Sequence, residues 1–277
     1  MEPNGIDIHR PGKIAAFFDL DKTLIHGATM LIAAPLLHER GLISYPTLIR
    51  AGIGAKVFEH LGATEARVEK AKKAALDVVA GWDRDEMFAL LHDSLDELFR
   101  EKIYKEAMQL VKQHIALDHL VAVVSSSPVE FVRPIAGMFG IEHVIATEVS
   151  IDDQGKCIRA FDQWVSGAAK PDAIRNFAQR NDIDLSSSFG YSDSRTDIGF
   201  LEAVGKPVAV NPDKKLAEHA QSKGWEIKHF EAPVQANRPD RNLVQNPWLQ
   251  VGASAAGVAA ISVAGVAINR RYSTQSR

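Results

Sequence analysis

Residues 14–24, which read IAAFFDLDKTL, decide how the rest of this sequence is interpreted. The stretch begins as a short apolar run and ends abruptly at two carboxylates, Asp19 and Asp21. Such a run is typical of a buried parallel strand that meets a loop at its carboxyl end, where ligands of open α/β sheets bind. The two acids and the hydroxyl of Thr23 are therefore placed for chemistry. Because two carboxylates this close repel each other, such a site usually needs a cation.

Strand-like and helical stretches alternate along most of the chain. Strands are predicted at residues 14–18, 119–124, 141–145, 189–191 and 207–210, with a hairpin of strands 148–151 and 156–160 around the turn 152–155. Helices are predicted to begin at Lys170 and to cover residues 214–223, where Gly224 ends the second helix. This alternation predicts an α/β fold with a Rossmann-like, doubly wound parallel sheet.

Residues 30–107 differ in texture from the rest, because apolar residues recur there at helical spacing and glycines divide them into short helices. They are interpreted as a helical domain inserted into a core formed by residues 13–29 and 108–231. Residues 1–12 are predicted to be a flexible polar lead-in. Residues 232–248, rich in Pro, Asn and Gln, have the composition of a linker.

Residues 249–269 carry no charged side chain and are long enough to cross a bilayer, with residues 270–277 as a short tail. Small residues within the segment suit close helix contacts in lipid, and Trp248 and Tyr272 bracket it. It is a candidate transmembrane helix and membrane anchor of undecided orientation. The alternative is a flexible or soluble Ala-rich helix, since Ala and Gly dominate over Val and Ile.

Composition excludes several classes. The 277 residues carry a net charge of −3, which predicts no nucleic-acid partner. One cysteine, Cys157, excludes an internal disulfide framework and a cysteine-based zinc site, and it is interpreted as inert. The amino terminus has no apolar run of the signal-peptide type, so the catalytic domain is expected to be cytoplasmic.

Four polar signals follow predicted strands or open helices, in this chain order: Asp19-Leu-Asp21-Lys-Thr23, Ser125, Lys170, and Asp193 with Asp197. In this order and context they resemble the haloacid dehalogenase superfamily of phosphohydrolases, subfamily IB, most closely the group that contains phosphoserine phosphatases. The resemblance covers roughly residues 14–230. It implies a helical cap inserted just after the first motif, where residues 30–107 lie.

The resemblance also implies a mechanism. Asp19 is expected to be the nucleophile that forms an aspartyl-phosphate, and Asp21 the general acid and base. Mg²⁺ is expected on the Asp19 carboxylate, the Asp21 backbone carbonyl and Asp193. Ser125 and Lys170 are expected to hold phosphoryl oxygens, helped by backbone N–H groups.

Two further residues have supporting roles in this scheme. Asp197 is expected to orient the metal or the lysine, or to be a weaker direct ligand, and Thr23 is expected to brace the loop. His26 lies near the site, where a lone histidine is more often a rim or core residue than a substrate contact.

The substrate is expected to be a phosphorylated small metabolite or lipid. Phosphoserine phosphatases usually place a glutamate shortly after the first motif to meet the substrate ammonium, but residues 26–30 here read HGATM. A buried ammonium without a counter-charge is costly, and residues 30–34 are apolar, which favours a lipid-like phosphomonoester. The alternatives are a phosphoserine phosphatase proper, a phosphotransferase or mutase, and a membrane-tethered binding protein without catalysis.

Overall fold

The computed structural model describes residues 12–44, 46–47 and 64–233. The strands are β1 Ala15–Phe18, β2 Leu120–Pro128, β3 His143–Ile151, β4 Cys157–Gln163, β5 Phe189–Ser192, β6 Lys206–Val210 and β7 Glu226–Lys228. The helices in these ranges are α1 Thr29–Glu39, α2 Glu65–Val79, α3 Arg84–Phe99, α4 Lys105–Ala116, α5 Val129–Met138, α6 Lys170–Asn181, α7 Ile198–Glu202 and α8 Lys214–Lys223.

The seven strands form one sheet in the order β4-β3-β2-β1-β5-β6-β7. Every neighbouring pair is parallel except β3 and β4, which form the antiparallel hairpin. This confirms the predicted α/β class with a mostly parallel sheet. Strands β2, β3 and β4 lie on one side of β1, and the later strands β5, β6 and β7 lie on the other side. The strand order therefore reverses between β1 and β5. In such sheets the ligand crevice opens at the carboxyl ends of the strands on either side of this reversal.

The central strand β1 is buried on both faces, as its apolar sequence predicts. Ala16 and Phe18 point into one hydrophobic cluster, whereas Ala15 and Phe17 point into a second cluster across the sheet. The first cluster also includes Met87 and other residues of the inserted helices. The insertion therefore shares a core with the sheet.

Several predicted boundaries differ from the observed ones. The two strands predicted at 141–145 and 148–151 are one strand, β3, which pairs with β2 at its start and turns into the hairpin at its end. The short polar strand β7 was not predicted, because it has no apolar run to mark it. Helix α8 matches its prediction: the Asp213 side chain accepts a hydrogen bond from the Leu216 N–H, and Gly224 ends the helix with a φ of 68°.

Helices α2 and α3 lie within the predicted cap and α1 begins one residue before it, at Thr29, while the exact boundaries of the cap stay a prediction. The two chain segments that connect the insertion to the core run side by side. The Tyr104 N–H donates to the Leu24 carbonyl at 3.1 Å, and the His26 N–H donates to the Lys102 carbonyl at 2.6 Å. These hydrogen bonds form a two-stranded hinge next to the carboxyl end of β1.

Three predictions concern residues beyond the described ranges. Almost all of the lead-in, nearly all of the linker and the candidate membrane helix at residues 249–269 lie outside the described residues, and they stay predictions. Across residues 12–44, 46–47 and 64–233, no helix has the length and apolarity needed to cross a membrane.

A buried histidine on α4 lies beneath the junction of β1 and β5. His114 is 4% exposed; its Nε2 lies 2.9 Å from the Tyr191 hydroxyl and its Nδ1 2.8 Å from Nδ1 of His119. Burial, reinforced by the charges of His119 and Lys206, lowers the pKa of His114 to about 4. The ring is therefore neutral in the folded protein at pH 7.

We predict that acidification destabilises the fold through His114. The unfolded chain takes up a proton near the ordinary histidine pKa of about 6.5, whereas the folded protein takes it up only near 4. The stabilisation is complete above about pH 6.5 and is lost as pH falls towards 4. Urea unfolding at several pH values should show a shallower loss in His114→Gln than in the wild type. The exposed His229→Gln is the control, and equal pH dependence in His114→Gln and the wild type would contradict this prediction.

Candidate active site

A buried lysine joins two acids that are far apart in the chain. Lys170, the first residue of α6, is 3% exposed, and its Nζ lies 2.6 Å from Asp19 Oδ1 and 2.6 Å from Asp197 Oδ2. Pro171 in the first turn favours a helix start here, because its fixed φ suits that position and its missing N–H is not needed. The two ion pairs bring together the loop after β1, the loop after β5 and the start of α6.

The first acidic loop is held by its own backbone. Asp19 is 7% exposed, its N–H donates to the Tyr191 carbonyl of β5 at 2.9 Å, and its Oδ2 accepts from the Thr23 hydroxyl at 3.4 Å. Lys22 has a φ of 61°, and its N–H donates to the Gly27 carbonyl at 3.1 Å. This left-handed residue folds the loop back on itself, so that Thr23 reaches Asp19.

The second acid of the loop has different partners. Asp21 Oδ1 accepts hydrogen bonds from both the backbone N–H of Thr29, at 2.8 Å, and its hydroxyl. Thr29 is fully buried and is the first residue of α1. The Ser127 hydroxyl lies 3.5 Å from Asp21 Oδ2, and the Ser127 N–H donates to the Ser125 hydroxyl at 3.1 Å. The carboxyl-terminal end of β2, which carries both serines, therefore lies opposite Asp21.

The loop after β5 completes the cluster. Asp197 Oδ2 accepts from the Ser192 hydroxyl at 2.7 Å as well as from Lys170. Asp193 is 8% exposed, and its carbonyl accepts from the Asp213 N–H at 2.8 Å. The structure thus brings together every residue that the sequence predicted for the site, whereas the chemical role of each remains a prediction.

Negative charge exceeds positive charge in this cluster. Burial raises the pKa of Asp19 well above its usual range; Lys170 opposes the rise, and the charges of Asp197, Asp193 and Asp21 add to it. Burial also raises the pKa of Asp193 to about 7, against the nearby charge of Lys22. The same two acids, Asp19 and Asp197, raise the pKa of Lys170 against its own burial. The lysine is firmly charged, yet it cannot neutralise four neighbouring carboxyl groups.

The donor atoms fit a hard divalent cation. Mg²⁺ prefers oxygen ligands, and the predicted set consists of the Asp19 and Asp193 carboxylates with the Asp21 backbone carbonyl. Within the described part of the chain, no group of three or more His, Cys, Asp or Glu side chains is arranged to hold a metal. The predicted set has only two such side chains, so this result does not bear on it. The uncompensated charge around Asp19 supports the fit.

Comparison with known proteins agrees with this geometry. A model of haloacid dehalogenase-like hydrolases matches residues 16–202. The chain belongs to this hydrolase family. A probable phosphatase of Mycobacterium tuberculosis is 31% identical over 265 residues, covering 95% of this chain and 91% of that protein. A phosphoserine phosphatase of the same organism is 29% identical over 225 residues, covering 81% of this chain and 73% of that protein.

A solved structure supports the fold of this hydrolase. A phospho-aspartyl intermediate analogue of phosphoserine phosphatase superposes with a TM-score of 0.55 at 17% identity, covering 82% of this chain and 97% of the other. The family predicted from the sequence and the predicted enzyme class, a phosphoric monoester hydrolase, are both confirmed.

The sequence did not point to three polar residues of the hydrolase site. Thr29 carries no motif signal, and Ser127 could not be separated from its neighbouring serines without coordinates. Ser192 precedes the acidic loop, and only its contact with Asp197 shows that it belongs to the site. His26 is half-buried, and its Nδ1 lies 3.0 Å from the Tyr104 hydroxyl at the hinge. Cys157 is buried in β4, and burial raises the pKa of its thiol.

An open cleft of about 760 Å³ lies at the amino-terminal ends of the strands in this hydrolase, away from the acidic cluster. Its lining includes the first residues of three strands, Phe189, Lys206 and Glu226. None of the predicted site residues lines it. Since the family chemistry belongs to the carboxyl ends of the strands, the cleft is not the active site.

We predict that Thr29 positions Asp21. Thr29→Val removes the hydroxyl donor but keeps the shape and the backbone donor, whereas Thr29→Ser keeps both donors. Because a hydrogen bond to a charged group contributes about 1.5–3 kcal/mol, kcat should fall roughly tenfold or more in Thr29→Val. Steady-state phosphate release should stay near the wild-type rate in Thr29→Ser. A wild-type kcat in Thr29→Val would contradict this prediction, because it would show that the hydroxyl contact does not contribute to catalysis.

Proposed function

We propose that this protein is a Mg²⁺-dependent phosphomonoester hydrolase that works through an aspartyl-phosphate on Asp19. The observation that carries the proposal is the position of Lys170, whose ammonium lies 2.6 Å from both Asp19 and Asp197 at the carboxyl edge of the sheet. It fixes one oxygen of Asp19, so that the other can face a phosphoryl group. It also supplies positive charge where the transferring group becomes more negative.

Two acids divide the chemistry in this proposal. The Asp19 carboxylate attacks phosphorus, and the bond from phosphorus to the leaving oxygen breaks. Asp21 gives its proton to that oxygen and then takes a proton from the water that attacks the acyl phosphate. Burial raises the pKa of Asp21, which suits a group that must hold a proton, while the Thr29 hydrogen bonds favour its ionised form.

The phosphoryl oxygens need donors as well. Ser125 is 1% exposed, and its oxygen already accepts the Ser127 N–H, so its own hydroxyl hydrogen can be donated to a phosphoryl oxygen. Helix α5 begins four residues later at Val129. Bound Mg²⁺ would add charge neutralisation between Asp19, Asp193 and the phosphoryl group.

We predict that Asp19→Asn abolishes turnover and leaves the fold intact, because the amide cannot form the acyl phosphate. Circular dichroism should match the wild type, while release of phosphate from a chromogenic phosphomonoester falls to background. EDTA should stop the wild-type reaction, and added Mg²⁺ should restore it. Retained activity in Asp19→Asn would refute the nucleophile assignment.

For the substrate, we propose an apolar phosphomonoester of the lipid type. The relative named phosphoserine phosphatase raises the alternative of a serine substrate. However, the loop that closes over Asp21 offers Ala28 and the backbone of Thr29, with no carboxylate for an ammonium. The first turn of α1 instead exposes Met30, at 39%, and Leu31, at 68%, directly after the Thr29 contact with Asp21. An apolar leaving group would pack on these side chains.

We predict a preference for lysophosphatidate or phosphatidylglycerol phosphate over phosphoserine in kcat/KM. Leu31→Asp should reduce kcat/KM for the lipid phosphates while leaving a small chromogenic phosphate unaffected, since the change lies on an exposed surface. Leu117→Asp is the matched control, because Leu117, directly after the end of α4, is similarly exposed at 65%. Strong preference for phosphoserine would overturn the lipid proposal without touching the hydrolase mechanism.

A further inference from the structure

An arginine of the inserted helices reaches into the core of the hydrolase. Arg84, the first residue of α3, places its Nε 3.0 Å from Glu130 Oε1 and its Nη2 3.2 Å from Glu148 Oε1. The same Nη2 donates to the Val149 carbonyl at 2.9 Å. One guanidinium therefore contacts both α5 and β3.

The pair with Glu130 is the buried part of this contact. The side chain of Glu130 is 2% exposed and that of Arg84 is 14% exposed, so the carboxylate has little access to water. A buried charge is retained only when it is paired and hydrogen-bonded. The position of Glu130 therefore depends on where Arg84 is held.

Arg84 is itself held by the hairpin of β3 and β4. The Arg84 N–H donates to the Gly155 carbonyl at 3.1 Å. Just before it, the Gly81 N–H donates to the Cys157 carbonyl and the Cys157 N–H to the Trp82 carbonyl, both at 2.8 Å. The turn between α2 and α3 thus pairs with the hairpin through these hydrogen bonds and an isolated bridge between Asp83 and Lys156, and Arg84 directly follows this pairing.

Glu130 lies in the first turn of α5, directly after the end of β2 that carries Ser125 and Ser127. The register between β2 and β3 shifts between Ser125 and Pro128, so Ser126 and Ser127 form an irregular loop between two paired residues. The contact at Glu130 adds a polar anchor to this turn, whose Val129, Phe131 and Val132 are also buried. Displacing it would displace the loop that faces Asp21.

We propose that Arg84 is a positioning residue that couples the inserted helices to the phosphate-binding loop. It acts through Glu130: the inserted helices fix the first turn of α5, and that turn fixes the hydroxyl of Ser125 and the neighbouring Ser127. The proposal rests on the proposed function, since it assumes that this loop holds a phosphoryl group. It predicts that cutting the ion pair weakens phosphate binding in protein that is still folded.

The experiment measures competitive inhibition by inorganic phosphate, with a chromogenic phosphomonoester as substrate and Mg²⁺ present. Arg84→Met removes both the charge and the donor, whereas Glu130→Gln removes only the carboxylate charge and keeps the size and the acceptor in case Arg84→Met does not fold. Arg159→Met is the matched control, because it cuts an exposed pair with Asp77 between α2 and β4, at 3.0 Å, without touching α5. Thermal melts of all variants report stability separately.

The inhibition constant for phosphate should rise about tenfold in Arg84→Met and by a smaller factor in Glu130→Gln, and it should not change in Arg159→Met. Combined with Ser127→Ala, the effect of Glu130→Gln should shrink, because the two changes act on one loop. A lowered melting temperature with an unchanged inhibition constant overturns the proposal and leaves the hydrolase assignment standing. A wild-type protein that neither turns over nor binds phosphate overturns the proposed function first.

Discussion

The ammonium of Lys170 between Asp19 and Asp197 is the interaction on which the rest of the site depends. Removing a lysine from water costs several kcal/mol, and only close, well-aligned acids offset that cost. Two contacts of 2.6 Å satisfy this requirement. Because the three residues come from the loop after β1, the start of α6 and the loop after β5, the pairing also fixes the positions of these segments relative to one another.

The same constraint leaves the site with an excess of negative charge. Four acids converge where one buried lysine is present, and burial, with the charges of neighbouring acids adding to it, raises the pKa values of Asp19 and Asp193. Such a site accommodates a cation together with a phosphoryl group. The cation offsets the surplus negative charge, and the phosphoryl group pairs with the lysine. Asp21 accepts its hydrogen bonds from Thr29 and is not paired with Lys170, which fits a different role for this second acid.

Much of this arrangement could be predicted from the sequence. The apolar run before Asp19 fixed β1, and the order of Asp19, Ser125, Lys170 and Asp193 after strands or at a helix start predicted their convergence. What could not be predicted depends on tertiary contacts. Strand β7 has only three residues, none of them fully buried. It forms because it pairs with the free edge of β6.

The pairing of Arg84 with Glu130 was invisible for the same reason. It joins residues on two helices, and neither residue has a local pattern that distinguishes it from a solvated charge. Thr29 likewise reads as an ordinary helix start until its contact with Asp21 is seen. Local signals thus predicted the residues proposed to act on phosphate, whereas the residues that hold them in place required the structure.

The most direct measurement of the central claim is chemical trapping of the covalent intermediate. Borohydride reduces an aspartyl-phosphate to homoserine, and cleavage after Lys13 and Lys22 releases residues 14–22 as one peptide for mass spectrometry. During turnover of a phosphomonoester, the account predicts homoserine at position 19 and an unmodified aspartate at position 21. A covalent mark on Asp21, or an unmodified peptide during active turnover, would contradict it.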